Sequence, residues 1–270
     1  MSIDTTSGPA RLVAIDIDGT TINHVGALSD EVGRAVTAVV DAGHHLVIAT
    51  GRSIVATMPV IEMLGLKAGY VVCSNGAVTL VLDPAEPMGY TVVDTVTFDP
   101  RPVLTMLREA IPEALVAVED LGVGFKVSRP FPEGELGGDQ VVADWEELLS
   151  RPATRVTLRR PEASSEEFIE QVERVGLHGV SYAVGWTAWL DINPEGVSKG
   201  SALELVRRRL HVEPADTVAI GDQRNDIEML EWAARGVAMG QAPDEVKAAA
   251  DEVTGTVEDD GLAQVLHSLL

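Results

Sequence analysis

The chain has 270 residues, of which 46% are apolar, 23% charged and 4% aromatic. That balance excludes a disordered chain, a collagen-like repeat and a disulfide scaffold, and the length allows one large domain or two modest ones. Asp and Glu number 42 against 20 Lys and Arg, a formal charge of −22; such a surface repels nucleic acid and anionic membranes, so an anionic substrate needs cations gathered locally.

Met1 to Thr6 carries neither a basic nor an apolar region, so no signal peptide is expected. Arg11 to Ile17 reads as a buried strand. Ser29 caps a helix with Asp30 and Glu31 in its first turn; Val32, Ala35, Val36, Val39 and Val40 form its apolar face, and Gly43 stops it. A strand over His45 to Ala49, a helix over Ser53 to Leu64 and a strand over Tyr70 to Ser74 follow. From Asp83 to Leu190 the pattern changes to α+β. Strands are predicted over Thr91 to Phe98, Val116 to Val118, Gly124 to Val127, Arg155 to Leu158 and Val180 to Ile192, with helices over Val103 to Ala110 and Glu166 to Val175. Arg129 to Asp139, rich in Pro, Gly and Glu, reads as a mobile loop. A helix then starts near Ser198, a strand covers Thr217 to Ile220, a helix follows Asp222, and a last strand covers Gly236 to Met239.

Strand–helix alternation in the outer segments predicts an α/β fold, a doubly wound parallel sheet with helices on both faces. The middle reads as an inserted α+β cap: residues 10–82 and 191–270 form a discontinuous core, and 83–190 the insertion. The only cysteine, Cys73, reads as a buried apolar filler; Trp186 and Trp189 read as packing residues of the cap. No apolar run approaches the ~18–20 residues of a membrane span. The expectation is a cytoplasmic monomer or small homo-oligomer.

Four short strings carry the chemistry. Asp16-Ile17-Asp18-Gly19-Thr20 ends an apolar strand; strand alternation places Asp16 and Asp18 on one side. Two carboxylates there are costly unless a cation meets them, and oxygen ligands with phosphate chemistry favour Mg²⁺. Gly221-Asp222-Gln223-Arg224-Asn225-Asp226 supplies a further strand-end acid. Thr50-Gly51-Arg52 offers a hydroxyl and backbone N–H groups suited to a phosphate oxygen. Lys199 sits at a helix start, where it opposes the helix dipole, in a chain whose other lysines are only Lys67, Lys126 and Lys247. Each string has an ordinary alternative: an Asx-rich strand end, a capped turn, a helix cap, a solvated lysine.

Together the four strings resemble the haloacid dehalogenase superfamily of phosphohydrolases, and the insertion point resembles the Cof-like subgroup with a type-two α/β cap. Val72-Cys73-Ser74-Asn75-Gly76-Ala77 resembles that subgroup's third-strand ending. The resemblance implies a Mg²⁺-dependent phosphatase that hydrolyses small phosphomonoesters, sugar phosphates or related metabolites, through an aspartyl-phosphate intermediate. It implies Asp16 as the nucleophile and Asp18 as the general acid and base. Mg²⁺ would be held by Asp16, Asp222 and the backbone carbonyl of Asp18. Thr50, Gly51, Lys199 and Asn225 would bind phosphate, Arg52 would meet substrate or cap, and Asp226 would orient Lys199 or a metal-bound water. A phosphoryl transferase or mutase on the same scaffold, and a non-catalytic phosphate-binding protein, are the alternatives.

Overall fold

The structure is a computed structural model describing residues 9–184 and 188–270. Met1 to Thr6 and Trp186, read above from sequence, lie outside the described residues.

The chain first lays down β1 (Leu12–Ile15), α1 (Asp30–Asp41), β2 (His45–Ala49), α2 (Ile54–Met63), β3 (Gly69–Cys73), β4 (Val78–Leu82) and β5 (Tyr90–Thr95). It then builds α3 (Arg101–Ala110), β6 (Leu115–Asp120), β7 (Gly124–Val127), β8 (Asp139–Val142), α4 (Trp145–Leu148), β9 (Val156–Arg159), α5 (Ser165–Val175), β10 (Val180–Val184) and β11 (Trp189–Pro194). It returns through α6 (Lys199–Leu210), β12 (Thr217–Gly221), α7 (Ile227–Trp232), β13 (Arg235–Ala238), α8 (Asp244–Ala249), β14 (Glu252–Val253) and α9 (Gly261–His267). Among the described residues there are two sheets. One runs β14-β13-β12-β1-β2-β3-β4-β5, the other β10-β11-β9-β6-β7-β8.

The first sheet is covered on both faces. Alternation along β1 sends Val13 and Ile15 to a cluster with Val32, Val36 and Leu262, while Leu12 and Ala14 join Leu203, Val206 and Met229. Burying each such side chain stabilises by about 1.5–3 kcal/mol. The Ser29 cap forms as expected, its hydroxyl accepting from the Val32 amide at 3.1 Å.

Four expectations need correction. First, β1 ends at Ile15, because the Ile17 carbonyl turns to accept from the Thr21 and Ile22 amides at 2.9 and 3.0 Å. Asp16 and Asp18 are therefore not two positions of one strand: Asp16 is buried and Asp18 exposed. Second, the sheet is mixed. Strands β14 to β3 of its order are parallel, but β4 and β5 add antiparallel. Positive φ at Ser74, Asn75 and Gly76 reverses the chain tightly after β3, and antiparallel neighbours need no crossover helix. The strand read at Thr91 to Phe98 thus belongs to the first sheet, and Trp189–Pro194 to the second, so sheet membership changes later in the chain than 83 and 191 at both junctions. Third, the single strand read over Val180 to Ile192 is two strands, β10 and β11, paired antiparallel. Fourth, the segment read as a mobile loop is packed: Phe131 and Leu136 are buried, and the Arg159 guanidinium holds the Glu135 carboxylate at 3.0 Å.

Cys73 is buried and donates to Thr57 Oγ1 at 3.6 Å. Burial pushes its thiol up to about 12. An unfolded thiol titrates near 8.5. The folded state therefore keeps the proton over the window between those values while the unfolded chain releases it, so this group lowers stability as pH rises through that window. At pH 8, native protein is expected to resist a thiol reagent that labels Cys73 fully in urea; rapid labelling without urea would contradict the burial.

Candidate active site

The parallel register brings the chemical strings together. Ile15 of β1 faces Ile48 of β2 on one side and Ile220 of β12 on the other. The residues that follow are Asp16, Thr50 and Asp222, so they emerge at one edge, outside the carboxyl ends of the strands. The Asp16 amide donates to the Ile220 carbonyl at 3.0 Å, which fixes its height above the sheet. Helix α6 begins with Lys199, after the Ser198 hydroxyl and Ser201 form a capping box.

Lys199 is 1% exposed, and its ammonium donates to Asp16 Oδ1 and to Asp226 Oδ1, each at 2.6 Å. Burial works against that ammonium, but Asp16 and Asp226 outweigh it and its pKa stands above the ordinary lysine value. These contacts account for a cation placed against the dipole of α6. Burial likewise pushes the Asp16 carboxyl well up; Lys199 opposes the rise, while Asp226, Asp222 and Asp18 add to it. Burial and then Asp226 push Asp222 up to about 6.

Asp16, Asp222 and Asp226 each bring a carboxylate oxygen within 4.8 Å of the others. Three buried carboxylates around one ammonium leave surplus negative charge and hard oxygen donors, which fits a divalent cation such as Mg²⁺. The three are not equivalent. Asp226 Oδ1 is taken by Lys199, and its Oδ2 accepts from the Asp222 and Gln223 amides, both at 2.9 Å. Asp226 therefore braces both Lys199 and the turn bearing Asp222. Asp222 accepts weakly from Thr20 Oγ1 at 3.2 Å and from Gln223 Nε2 at 3.0 Å. Among the described residues, nothing donates to Asp16 Oδ2.

The Asp18 side chain stands apart from this cluster. It is 57% exposed and paired with Arg52, whose Nε and Nη2 reach its two oxygens at 2.8 and 2.5 Å. Its carboxylate does not join the three clustered acids. Arg52, expected at substrate or cap, is held by Asp18 and by the Ala56 carbonyl at 3.1 Å and lines the same cavity as Asp18. Thr50 is buried, and its hydroxyl accepts from the Arg52 amide at 3.1 Å; it is not the cap of α2, which is Ser53. The Asn225 amide donates to Asn75 Oδ1 at 2.9 Å, and Gly51 lies against both side chains. Asp16, Asp18, Gly51, Arg52 and Asn225 line one cavity of about 600 Å³, roofed by Glu135, Arg155, Trp189 and Asp191 from the second sheet and its loop.

Sequence reasoning missed the roof residue Arg155 and gave Asn75 little weight. Asn75 Nδ2 donates to Asn193 Oδ1 at 3.2 Å, and Asn193 Nδ2 donates to the Ser74 and Thr154 carbonyls at 2.9 and 3.2 Å. Asn75-Gly76 is a turn signal in the sequence, but nothing local to it points to this partnership. For Arg155 the one available signal was alternation, with Arg155, Thr157 and Arg159 opposite Val156 and Leu158.

A family model described as haloacid dehalogenase-like hydrolase matches residues 13–113 and 126–266. The chain belongs to the haloacid dehalogenase-like hydrolases. It is 31% identical to the pyridoxal phosphate phosphatase YbhA of Escherichia coli, over 96% of this chain and 98% of that one. Among solved structures it resembles BT1666 of Bacteroides thetaiotaomicron, described among phosphatases of this superfamily: 27% identity, TM-score 0.79, 98% and 99% of the two chains covered. The fold also matches BT4131, a sugar phosphatase of subclass IIB, at 22% identity and TM-score 0.80, over 97% and 100% of the chains. Among the described residues of this hydrolase, no helix is long and apolar enough to cross a membrane.

Gly19 offers a test of how tightly the edge is built. Its φ is +78°, and a Cβ there would overlap the Asp222 carboxylate. Gly26 has the same φ of +78° with nothing near its Cβ position. Both alanine variants lose about 1–2 kcal/mol from the left-handed backbone. Overpacking adds about 1–3 kcal/mol for Gly19→Ala alone. Urea unfolding of the two variants reads the difference; equal losses would contradict the packing of Gly19 on Asp222.

Proposed function

We propose that this hydrolase is a Mg²⁺-dependent phosphatase that releases phosphate from small phosphorylated metabolites through an aspartyl-phosphate on Asp16. The enzyme class, phosphoric monoester hydrolase, is the one its relatives share. The observation that carries the reading is the buried Lys199 ammonium fixed between Asp16 and Asp226, beside Asp222.

In this reading Asp16 Oδ2 attacks phosphorus while Oδ1 stays on Lys199. Lys199, the Thr50 hydroxyl and Asn225 receive the non-bridging oxygens, where charge develops. Asp18, at the cavity mouth, gives a proton to the leaving oxygen and later takes one from the water that cleaves the acyl phosphate. Arg52 keeps that carboxylate facing the cavity. Asp226 holds Lys199 rather than touching phosphate. Asp16, Asp222 and the Asp18 carbonyl would hold Mg²⁺, which when bound offsets the repulsion between a carboxylate and an anionic ester.

The residues between the two crossings of the chain, roughly from Val96 to Pro194, act as a cap that closes the cavity. A volume of about 600 Å³ suits a small metabolite. Pyridoxal phosphate, the substrate named for the Escherichia coli relative, is the first choice for a substrate screen, with phosphoglycolate, named for a relative from Methanothermobacter thermautotrophicus, as the comparison whose leaving group is anionic.

Phosphate release from that screen should require Mg²⁺ and stop with EDTA. Asp16→Asn should fall at least about 10³-fold when assayed well below its own unfolding midpoint, and that midpoint should also drop, because the buried Lys199 ammonium loses one of its two carboxylates. Activity equal to wild type in Asp16→Asn would remove the covalent mechanism.

A further inference from the structure

The roof of the cavity carries a cation with unfinished hydrogen bonding. Arg155 lies just before β9 and is 5% exposed. Among the described residues its guanidinium makes one hydrogen bond, from Nη1 to the Gly51 carbonyl, on the turn that also bears Thr50. That contact spans from the second sheet to the first. Its Nε is buried and has no hydrogen-bond acceptor. Glu119 and Asp191 stand at 4.0 and 3.9 Å, near enough to balance charge but too far to accept. Both carboxylates are already served by hydroxyls. Glu119 accepts from Ser74 Oγ at 2.7 Å and Thr154 Oγ1 at 2.8 Å, and Asp191 Oδ1 accepts from Thr157 Oγ1 at 2.8 Å. The face of the Phe125 ring covers the guanidinium at 5.2 Å.

A buried guanidinium with unpaired N–H groups is expensive unless an acceptor arrives. Nε is sealed from the cavity, but Nη2 also lacks an acceptor among the described residues, and the cavity that Arg155 lines also contains Asp16 and Asp18, so a substrate oxygen can supply that acceptor. The local charge says what kind of acceptor. Arg155 with Glu119 and Asp191 sums to one negative charge, while Glu135 is matched by Arg159 and Asp18 by Arg52. A second anionic group on the leaving alcohol gains nothing from such a roof. Neutral oxygen atoms do: Arg155 can donate to a hydroxyl or carbonyl oxygen, and Asp191 Oδ2 can accept from a hydroxyl.

Resting on the phosphatase reading, we propose that Arg155 and Asp191 form a donor–acceptor pair on the cap that selects esters whose leaving group carries neutral hydroxyl or carbonyl oxygens. They are specificity residues. The reacting phosphoryl group is served by Asp16, Thr50 and Lys199 without them.

Two esters separate this role from a structural one. Glucose 6-phosphate carries such oxygens on its leaving group, and phenyl phosphate carries none. Arg155→Met should raise KM for glucose 6-phosphate about 10- to 100-fold, the cost of a hydrogen bond to a charged donor, and change KM for phenyl phosphate less than about 3-fold. Arg155→Lys should recover part of the loss, and Asp191→Asn should show the same preference more weakly. Equal losses for both esters, or none for either, would overturn the assignment. Should Arg155→Met fail to fold, Arg155→Lys and Asp191→Asn carry the comparison alone. Should wild type hydrolyse neither ester, the phosphatase reading is judged separately by the Mg²⁺-dependent substrate screen. Calorimetric binding of the two esters to wild type and Arg155→Met then decides the inference, with selective weakening of glucose 6-phosphate supporting it. Equal binding, or no binding of either ester, would overturn it.

Discussion

The site depends on one interaction, the Lys199 ammonium buried between Asp16 and Asp226. Burial alone works against that ammonium, and the two carboxylates outweigh it, so the positive charge is held at the sheet edge. The arrangement also fixes geometry. Lys199 ties the start of α6 to the end of β1, and Asp226 ties the same lysine to the turn after β12. Breaking such a buried pair by removing one partner is strongly destabilising. The cluster is therefore part of the fold as well as of the site.

Around that centre, a second polar layer joins the two sheets. Asn225, Asn75 and Asn193 form a chain of amides, and Ser74 and Thr154 close on Glu119. Apart from half-buried Asn225 these groups are buried, and all are satisfied, a condition under which a polar network adds rigidity. They link the loop after β12 to the end of β11, so a movement of the second sheet is felt beside the proposed phosphate site. Arg155, grasping the Gly51 carbonyl, is a second connection of the same kind.

The strings around Asp16, Thr50, Lys199 and Asp222 could be read from sequence because each is local. An apolar run that stops at a polar turn announces a strand end, and parallel pairing then does the assembly. The two junctions between the sheets were harder. Pro84 and Pro87 resemble a linker, yet they lie in a hairpin loop closed by the Asp83 amide on the Gly89 carbonyl at 2.9 Å. Asp18 was misplaced because alternation was carried past the last strand residue into a turn. Arg155 and Asn193 were out of reach for a different reason. Their partners are far away in sequence, and only the register of β9 against β11 puts Arg155 near Asp191 and Asn193 near Thr154.

The central claim is that the acids gathered around Lys199 carry more negative charge than one ammonium can balance, and that Asp222 is where a divalent cation meets the surplus. Thermal unfolding with increasing Mg²⁺ tests it without any substrate. The account predicts that Mg²⁺ raises the unfolding midpoint of the wild-type protein and that Asp222→Asn largely abolishes the rise. An equal rise in both proteins, or none in the wild type, would contradict it.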